Sequence, residues 1–268
     1  MALIRHLSKI PGFCRFWRAF PIGSAQLRTQ FDIWARPSYA YGVYAAAELA
    51  TNLGLSNITI IEFGVAAGAG LLALEDIALR FGKHFKLQIN VVGFDTGSGL
   101  PKPTDYRDLP HVWDQSFYKM DVDKLRGRLK VAELILDDVQ MGIESFLVDR
   151  GKGPVGFISF DLDYYSSTKK ALRIFDGPFE SRLPRVFCYF DDVIWPERAC
   201  YCDYTGELLA INEFNIEHSE KKLCKLPHLG WIRPRRAAWN EQIYVMHDFR
   251  HPLYSRNITP MEGRQHSL

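Results

Sequence analysis

The stretch Asn57–Gly70 reads NITIIEFGVAAGAG, and its interpretation decides the fold. Five of the six residues from Ile58 to Phe63 are β-branched or aromatic, which predicts a short strand buried on both faces of a parallel sheet. Gly64, Gly68 and Gly70 come next, where the chain must turn sharply, and LLALEDIALRF then repeats apolar residues at helical spacing. Strand, glycine-rich turn and helix form half of a nucleotide-binding unit. Glycine lets backbone amides approach a ligand closely, and the helix N-terminus offers unpaired N–H groups to an anionic or polar group.

Downstream, LQINVVGFD predicts a second strand ending at Asp95. An acid there can accept hydrogen bonds from a ribose diol, close to the ~20-residue offset used in dinucleotide sites. The segment 96–121 carries three prolines and little periodicity, the mark of a lid or binding loop. A helix near 122–128 leads to a third strand, VAELILDD, with Asp137 and Asp138 at its tip, and then to a helix in QMGIESFLVDR. The fourth strand, VGFISFD, ends at Asp161; the fifth, RVFCYFDD, ends at Asp191 and Asp192. TGELLAINEFN reads as a helix and QIYVMHDF as the final strand. Between them LCKLPHLGWIRPRRAAWN is a proline-broken connection, its Arg233, Arg235 and Arg236 read as a solvated rim, with an anion site as the alternative. Upstream, ARPSYAYGVYAAAELATNLG is a helix with Pro37 near its start and Gly54 just past its end, the usual asymmetry of helix boundaries. Tyr39, Tyr41 and Tyr44 on it are read as core, with the lining of a ligand pocket as the alternative.

A formal charge of +2 on 268 residues gives no argument for nucleic acid, and no apolar run approaches the ~18 residues of a membrane span. The first 31 residues contain no acid but carry Arg5, Lys9, Arg15, Arg18 and Arg28 among aromatics. We read residues 1–35 as a helical arm packed on the domain or on a partner subunit. A membrane-surface arm and a targeting segment are the alternatives. A homo-oligomer formed through this arm and a cytoplasmic location are the expectations. The five cysteines are scattered and are read as reduced structural thiols.

Residues 36–268 are expected to form one doubly wound α/β domain with a lid near 96–121. Right-handed crossovers bring all the strand tips to one edge, where such sheets bind ligands. Asp161, Asp191 and Asp192 then share one place, and crowded carboxylates require either a proton or a cation among them. Oxygen ligands suit magnesium, calcium or manganese.

The order EFGVAAGAG, GFDTGSGLP, LILDDVQMGIESFL, ISFDLDYYSSTKKAL and YFDD resembles the class I S-adenosylmethionine-dependent methyltransferases. Within them it is most similar to the macrocin O-methyltransferase group, which acts on sugar hydroxyls of natural products. The likeness covers roughly residues 36–255, and its most specific part is Asp161, Asp163, Tyr165 and Thr168. The resemblance implies a Rossmann-like methyltransferase sheet, mostly parallel with an antiparallel last strand. It implies that Glu62 and Gly64 hold the methionine moiety, Gly68 keeps the turn close to the cofactor, Asp95 binds the ribose, and Asp138 with Val139 reads the adenine. It further implies that Asp161, Asp191 and Asp192 bind magnesium, so that Asp161 takes part in catalysis. His111 in the lid is the candidate general base. The expected reaction is O-methylation of a sugar, polyol or natural product. Use of the same fold for hydroxylation, or as a non-catalytic cofactor-binding partner, are the alternatives.

Overall fold

The computed structural model of the chain describes residues 12–20, 22–148, 151–194 and 196–259, together with Ile4 and Ile10. Arg5 and Lys9 of the arm therefore lie outside the described residues.

Seven strands form one sheet in the order β3-β2-β1-β4-β5-β7-β6. They are β1 Asn57–Phe63, β2 Gln88–Asp95, β3 Glu133–Leu136, β4 Val155–Phe160, β5 Arg182–Phe190, β6 Lys221–Lys225 and β7 Ile243–Asp248. The pairs within β3-β2-β1-β4-β5 are parallel, and β7 runs antiparallel to both of its neighbours. This is the mostly parallel sheet with a reversed final strand that the resemblance implies. β6 corrects the expectation, because the sequence reads Leu223–Lys225 as part of the proline-broken connection and predicts no strand there. Only Leu223 of this strand is buried, and lysines on an edge strand hide the alternation that reveals a half-buried one.

Helices cover both faces. Pro37–Asn52 and Ala69–Phe85 pack on one face, where Tyr39, Leu71, Leu74 and Phe81 meet Ile58, Ile60 and Phe157. Val139–Val148, Tyr165–Ala171 and Gly206–Glu217 cover the other, where Ile143, Phe146 and Phe214 belong to the same core as Phe63, Phe94, Phe160 and Phe190. Those four phenylalanines are register partners across β2, β1, β4 and β5. They stack as a row, with centroids 4.8 Å apart for Phe63 and Phe94, 5.6 Å for Phe63 and Phe160, and 4.5 Å for Phe160 and Phe190. Side chains alternate faces along a strand, so the residue after each phenylalanine turns away from this apolar floor. Those residues are Asp95, Gly64, Asp161 and Asp191.

The arm packs through Cys14, Trp17, Phe31 and Ile33. Arg233 forms an ion pair with Asp32 and also donates to the Thr29 carbonyl, while Arg236 stacks on Trp231 at 3.8 Å. Arg233 is thus a tie between the arm and the β6–β7 connection, a correction to its reading as solvated rim. No helix among the described residues is long and apolar enough to cross a membrane.

The reversal of β7 places Asp248 beside Arg182 at the start of β5, where the two form an ion pair with side chains 1% and 3% exposed. Arg182 also donates to the Gly177 and Pro178 carbonyls. Removing one partner of such a pair strands a buried charge, so Arg182→Met is expected to cost about 3–5 kcal/mol. Thermal melts would then shift down by roughly 6–20 °C. A variant melting within a degree or two of wild type would show that the pair contributes nothing.

Candidate functional site

The parallel ladder continues past the strands and sets the geometry of the tips. Gly64 N–H donates to the Phe94 carbonyl, Asp137 N–H to that of Asp95, Asp161 N–H to that of Phe63, and Asp191 N–H to that of Phe160. A cleft of about 580 Å³ opens over these tips and is lined by Glu62, Gly64, Asp95, Asp138, Val139, Asp161, Asp163, Asp191 and Asp192 among others. That volume lies in the ordinary range of small-molecule sites.

Glu62 is the most buried acid of the cleft lining, 1% exposed. Tyr39 donates to its Oε1 at 2.7 Å and itself accepts from Ser159 at 2.8 Å, so the helix Pro37–Asn52 holds this carboxylate in place. Its Oε2 is buried with no hydrogen-bond partner. Burial, outweighing the bond from Tyr39, pushes the Glu62 carboxyl up to about 8. A Cβ on Gly70 would lie 1.8 Å from Glu62 Oε1, which is why the third glycine of the turn has no side chain. Gly68 caps the helix Ala69–Phe85 at φ 84°; it faces Leu125 and does not line the cleft.

Asp95 secures the turn itself. Its Oδ2 accepts from Val65 N–H and Ala66 N–H, both at 2.9 Å, and its Oδ1 accepts from Gly97 N–H at 2.6 Å. A carboxylate offers about four acceptor positions, so one is left for a ligand hydroxyl. Asp138 is exposed, accepts from Gln140 N–H at 3.0 Å and pairs with Lys170 at 3.0 Å, with Val139 beside it.

Carboxylate oxygens of Asp161, Asp191 and Asp192 lie within 4.8 Å of one another. Opposite ligands of one magnesium or calcium ion are about 4–5 Å apart, so the donor set fits a hard divalent cation. Tyr189 donates to Asp191. Asp192 accepts from Tyr201 Oη at 2.9 Å and Asp163 N–H at 3.0 Å, and its own N–H donates to Glu207 at 3.0 Å. Burial and then repulsion from Asp191 and Asp192 drive the Asp161 carboxyl well above its ordinary range. Asp192 is driven up by burial, then by Asp163 and Asp191.

Asp163 was read only as part of a motif, yet the structure brings it into the cleft, 6% exposed and in the left-handed region at φ 59°. Its side chain makes no hydrogen bond or ion pair among the described residues. Burial, then Asp161 and Asp191, push it up to about 8. His111, the candidate base, is exposed in the turn after Leu109 and does not line the cleft, whereas Trp113 and Tyr118 of the same loop do. The loop is pinned there by Asp108, which accepts from Thr104 and from both the N–H and the hydroxyl of Ser166. That anchor turns the flanking aromatic residues inward and leaves His111 in solvent. Trp113 Nε1 is buried without a partner, a second unmet polar atom at the cleft.

The chain matches no protein-family model and no curated protein sequence. Among solved structures it is similar to the calicheamicin methyltransferase CalS11, at 19% identity and a TM-score of 0.54 over 92% of this chain and 90% of that one. Weaker likenesses are to an apo structure of CalS11, a TDP-rhamnose 3'-O-methyltransferase, at 18% identity, 92% and 91% coverage and TM-score 0.43. MycE of the mycinamycin pathway, solved with Mg and SAH, follows at 14% identity, 77% and 55% coverage and TM-score 0.35. Together with the strand order, the likeness to CalS11 shows that the chain shares the Rossmann-like fold of that methyltransferase.

Proposed function

We propose that this chain is an S-adenosylmethionine-dependent O-methyltransferase acting on a hydroxyl of a sugar, polyol or natural product, aided by a divalent cation on Asp161, Asp191 and Asp192. The observation that carries the reading is one cleft with a glycine turn and the unmet Glu62 Oε2 at one place and three clustered carboxylates at another. A cationic amino group satisfies Glu62, and a metal offsets the repulsion within the cluster.

The cofactor supplies an activated methyl group on sulfur, so the protein needs chiefly to align the acceptor and remove one proton. Glu62, fixed by Tyr39, orients the methionine end. Asp95, with one acceptor position remaining, and Asp138 with Val139 take the ribose and adenine ends. Asp161, Asp191 and Asp192 would hold the divalent cation, which would supply the charge that lowers a nearby hydroxyl's affinity for its proton. Asp163, whose carboxylate accepts no hydrogen bond among the described residues, receives that proton at Oδ. Trp113 and Tyr118 form the wall that excludes water.

A thermal-shift screen with S-adenosylmethionine, S-adenosylhomocysteine and NAD, with and without magnesium, tests the cofactor. A ligand at 100 times its Kd stabilises by about 2.7 kcal/mol, which for a chain of this size raises the melting point by roughly 5–10 °C. Both adenosyl ligands are expected to give that shift. A shift with NAD alone would overturn the proposal.

A further inference from the structure

Two stretches of the chain, 1–31 and 221–240, hold eleven of its 33 lysines and arginines and none of its 31 acids. The other 217 residues therefore carry a formal charge of −9, against +11 on these two stretches. Such asymmetry within one chain marks a surface for an anionic partner. The fold brings the two stretches together at Asp32. Arg18 of the helix Phe13–Ala19 donates to the Asp32 carbonyl at 3.2 Å, and Arg233, just past the short helix Leu229–Ile232, pairs with the Asp32 carboxylate.

Large apolar side chains stand in solvent on either side of that junction. Phe16, Phe20, Ile22, Trp231 and Ile232 are 58–75% exposed. Cys14 and Trp17 fill the buried side of the arm helix, and Trp17 Nε1 donates to the Ile22 carbonyl at 2.7 Å, which fixes the turn carrying Phe20 and Ile22. Arg15, Arg235 and Arg236 are exposed among these side chains. Exposed rings and isoleucines are costly in water unless an apolar partner covers them. Arginines interleaved with them match an anionic bilayer, where rings sink to headgroup level and guanidiniums reach the phosphates. A second copy is a poorer match, because a two-fold contact sets arginines against arginines. We propose that Phe16, Phe20, Ile22, Trp231 and Ile232, with their flanking arginines, form a docking surface for an anionic lipid bilayer. Arg36, shortly after Asp32, lines the cleft, so the docked chain holds that cleft beside the headgroups. The surface stands independently of the methyl-transfer reading.

Co-sedimentation of the full chain with two kinds of vesicle tests the surface: phosphatidylcholine alone, and phosphatidylcholine mixed with phosphatidylglycerol. Wild type is expected to bind the mixed vesicles far more tightly, and added salt should weaken that binding. Each arginine near an anionic surface is worth about fivefold, so Arg15→Gln, Arg235→Gln and Arg236→Gln combined should cost roughly 100-fold. Phe20→Ser and Trp231→Ser combined remove apolar area and should cost roughly 10- to 100-fold. All these positions are exposed, so both variants should melt within about 2 °C of wild type. Equal binding to the two vesicle types, or no binding to either, overturns the proposal. Full vesicle affinity in the Phe20→Ser, Trp231→Ser protein reduces the surface to a general attraction for anions and overturns it too. Self-association in solution that these two substitutions abolish gives the face to a second copy, with the same consequence.

Discussion

Exchange of Asp163 for asparagine is expected to slow methyl transfer by about 10²–10⁴-fold, the contribution of a positioned general base. Asparagine tolerates the left-handed backbone that Asp163 adopts at φ 59° and matches the carboxylate in shape, so the loss should lie in chemistry. Asp163 N–H, which donates to Asp192 at 3.0 Å, is untouched by the exchange. Burial and the neighbouring aspartates hold Asp163 near pH 8, and a cation among those aspartates removes the repulsive part of that shift. The check is release of S-adenosylhomocysteine with a panel of sugar and polyol acceptors, alongside cofactor affinity. Cofactor binding should stay within about twofold. A variant turning over within tenfold of wild type would remove Asp163 from the mechanism.

Gly64→Ala is expected to be the most damaging single methyl in the chain. Gly64 sits at φ 83°, and a Cβ there would lie 1.8 Å from the Asp161 carbonyl oxygen. That oxygen belongs to backbone at the tip of β4 and cannot swing aside as a side chain would. Left-handed strain in a non-glycine residue costs about 1–3 kcal/mol, and overpacking adds about 1–3 kcal/mol. The two together give a loss of about 2–6 kcal/mol. Because the displaced backbone carries Asp161, the aspartate triad should open as well, so cation affinity should fall with stability. Denaturant melts and magnesium titration measure the two effects. A G64A protein that melts like wild type and binds magnesium equally would show that the tips of β1 and β4 are not in this contact.

The strand tips were readable from the sequence because each ends an apolar run, and the chain repeats one device at all four central tips. The pairs Phe63–Gly64, Phe94–Asp95, Phe160–Asp161 and Phe190–Asp191 each turn a ring into the core and the next residue toward the ligand edge. That repeated dipeptide is the signal that could have fixed the register in advance. β6 was not readable, since an exposed edge strand of lysines has no apolar period. Asp163 was hidden for a different reason. It lies beyond the strand, in a left-handed turn, where side-chain direction depends on φ and not on alternation.

The roles of individual polar groups required the folded chain. Asp95 and Val65 are far apart in sequence, yet the carboxylate is bound to the turn it faces. Tyr39 reads as core and is core, but its hydroxyl also holds Glu62. Arg233 reads as surface, and its partner Asp32 lies at the other end of the chain. His111 has the chemistry of a base, and the fold leaves it exposed and outside the cleft lining.

For NITIIEFGVAAGAG the division is clear. The sequence by itself determined the strand, the turn and the helix, because apolar period and glycine are local properties of the chain. Tertiary structure alone decided what each glycine is for: Gly64 makes room for the backbone of β4, Gly70 for the Glu62 carboxylate, and Gly68 for Leu125. Those neighbours arrive from elsewhere in the chain, and contact between distant segments is set by packing, which no local pattern encodes.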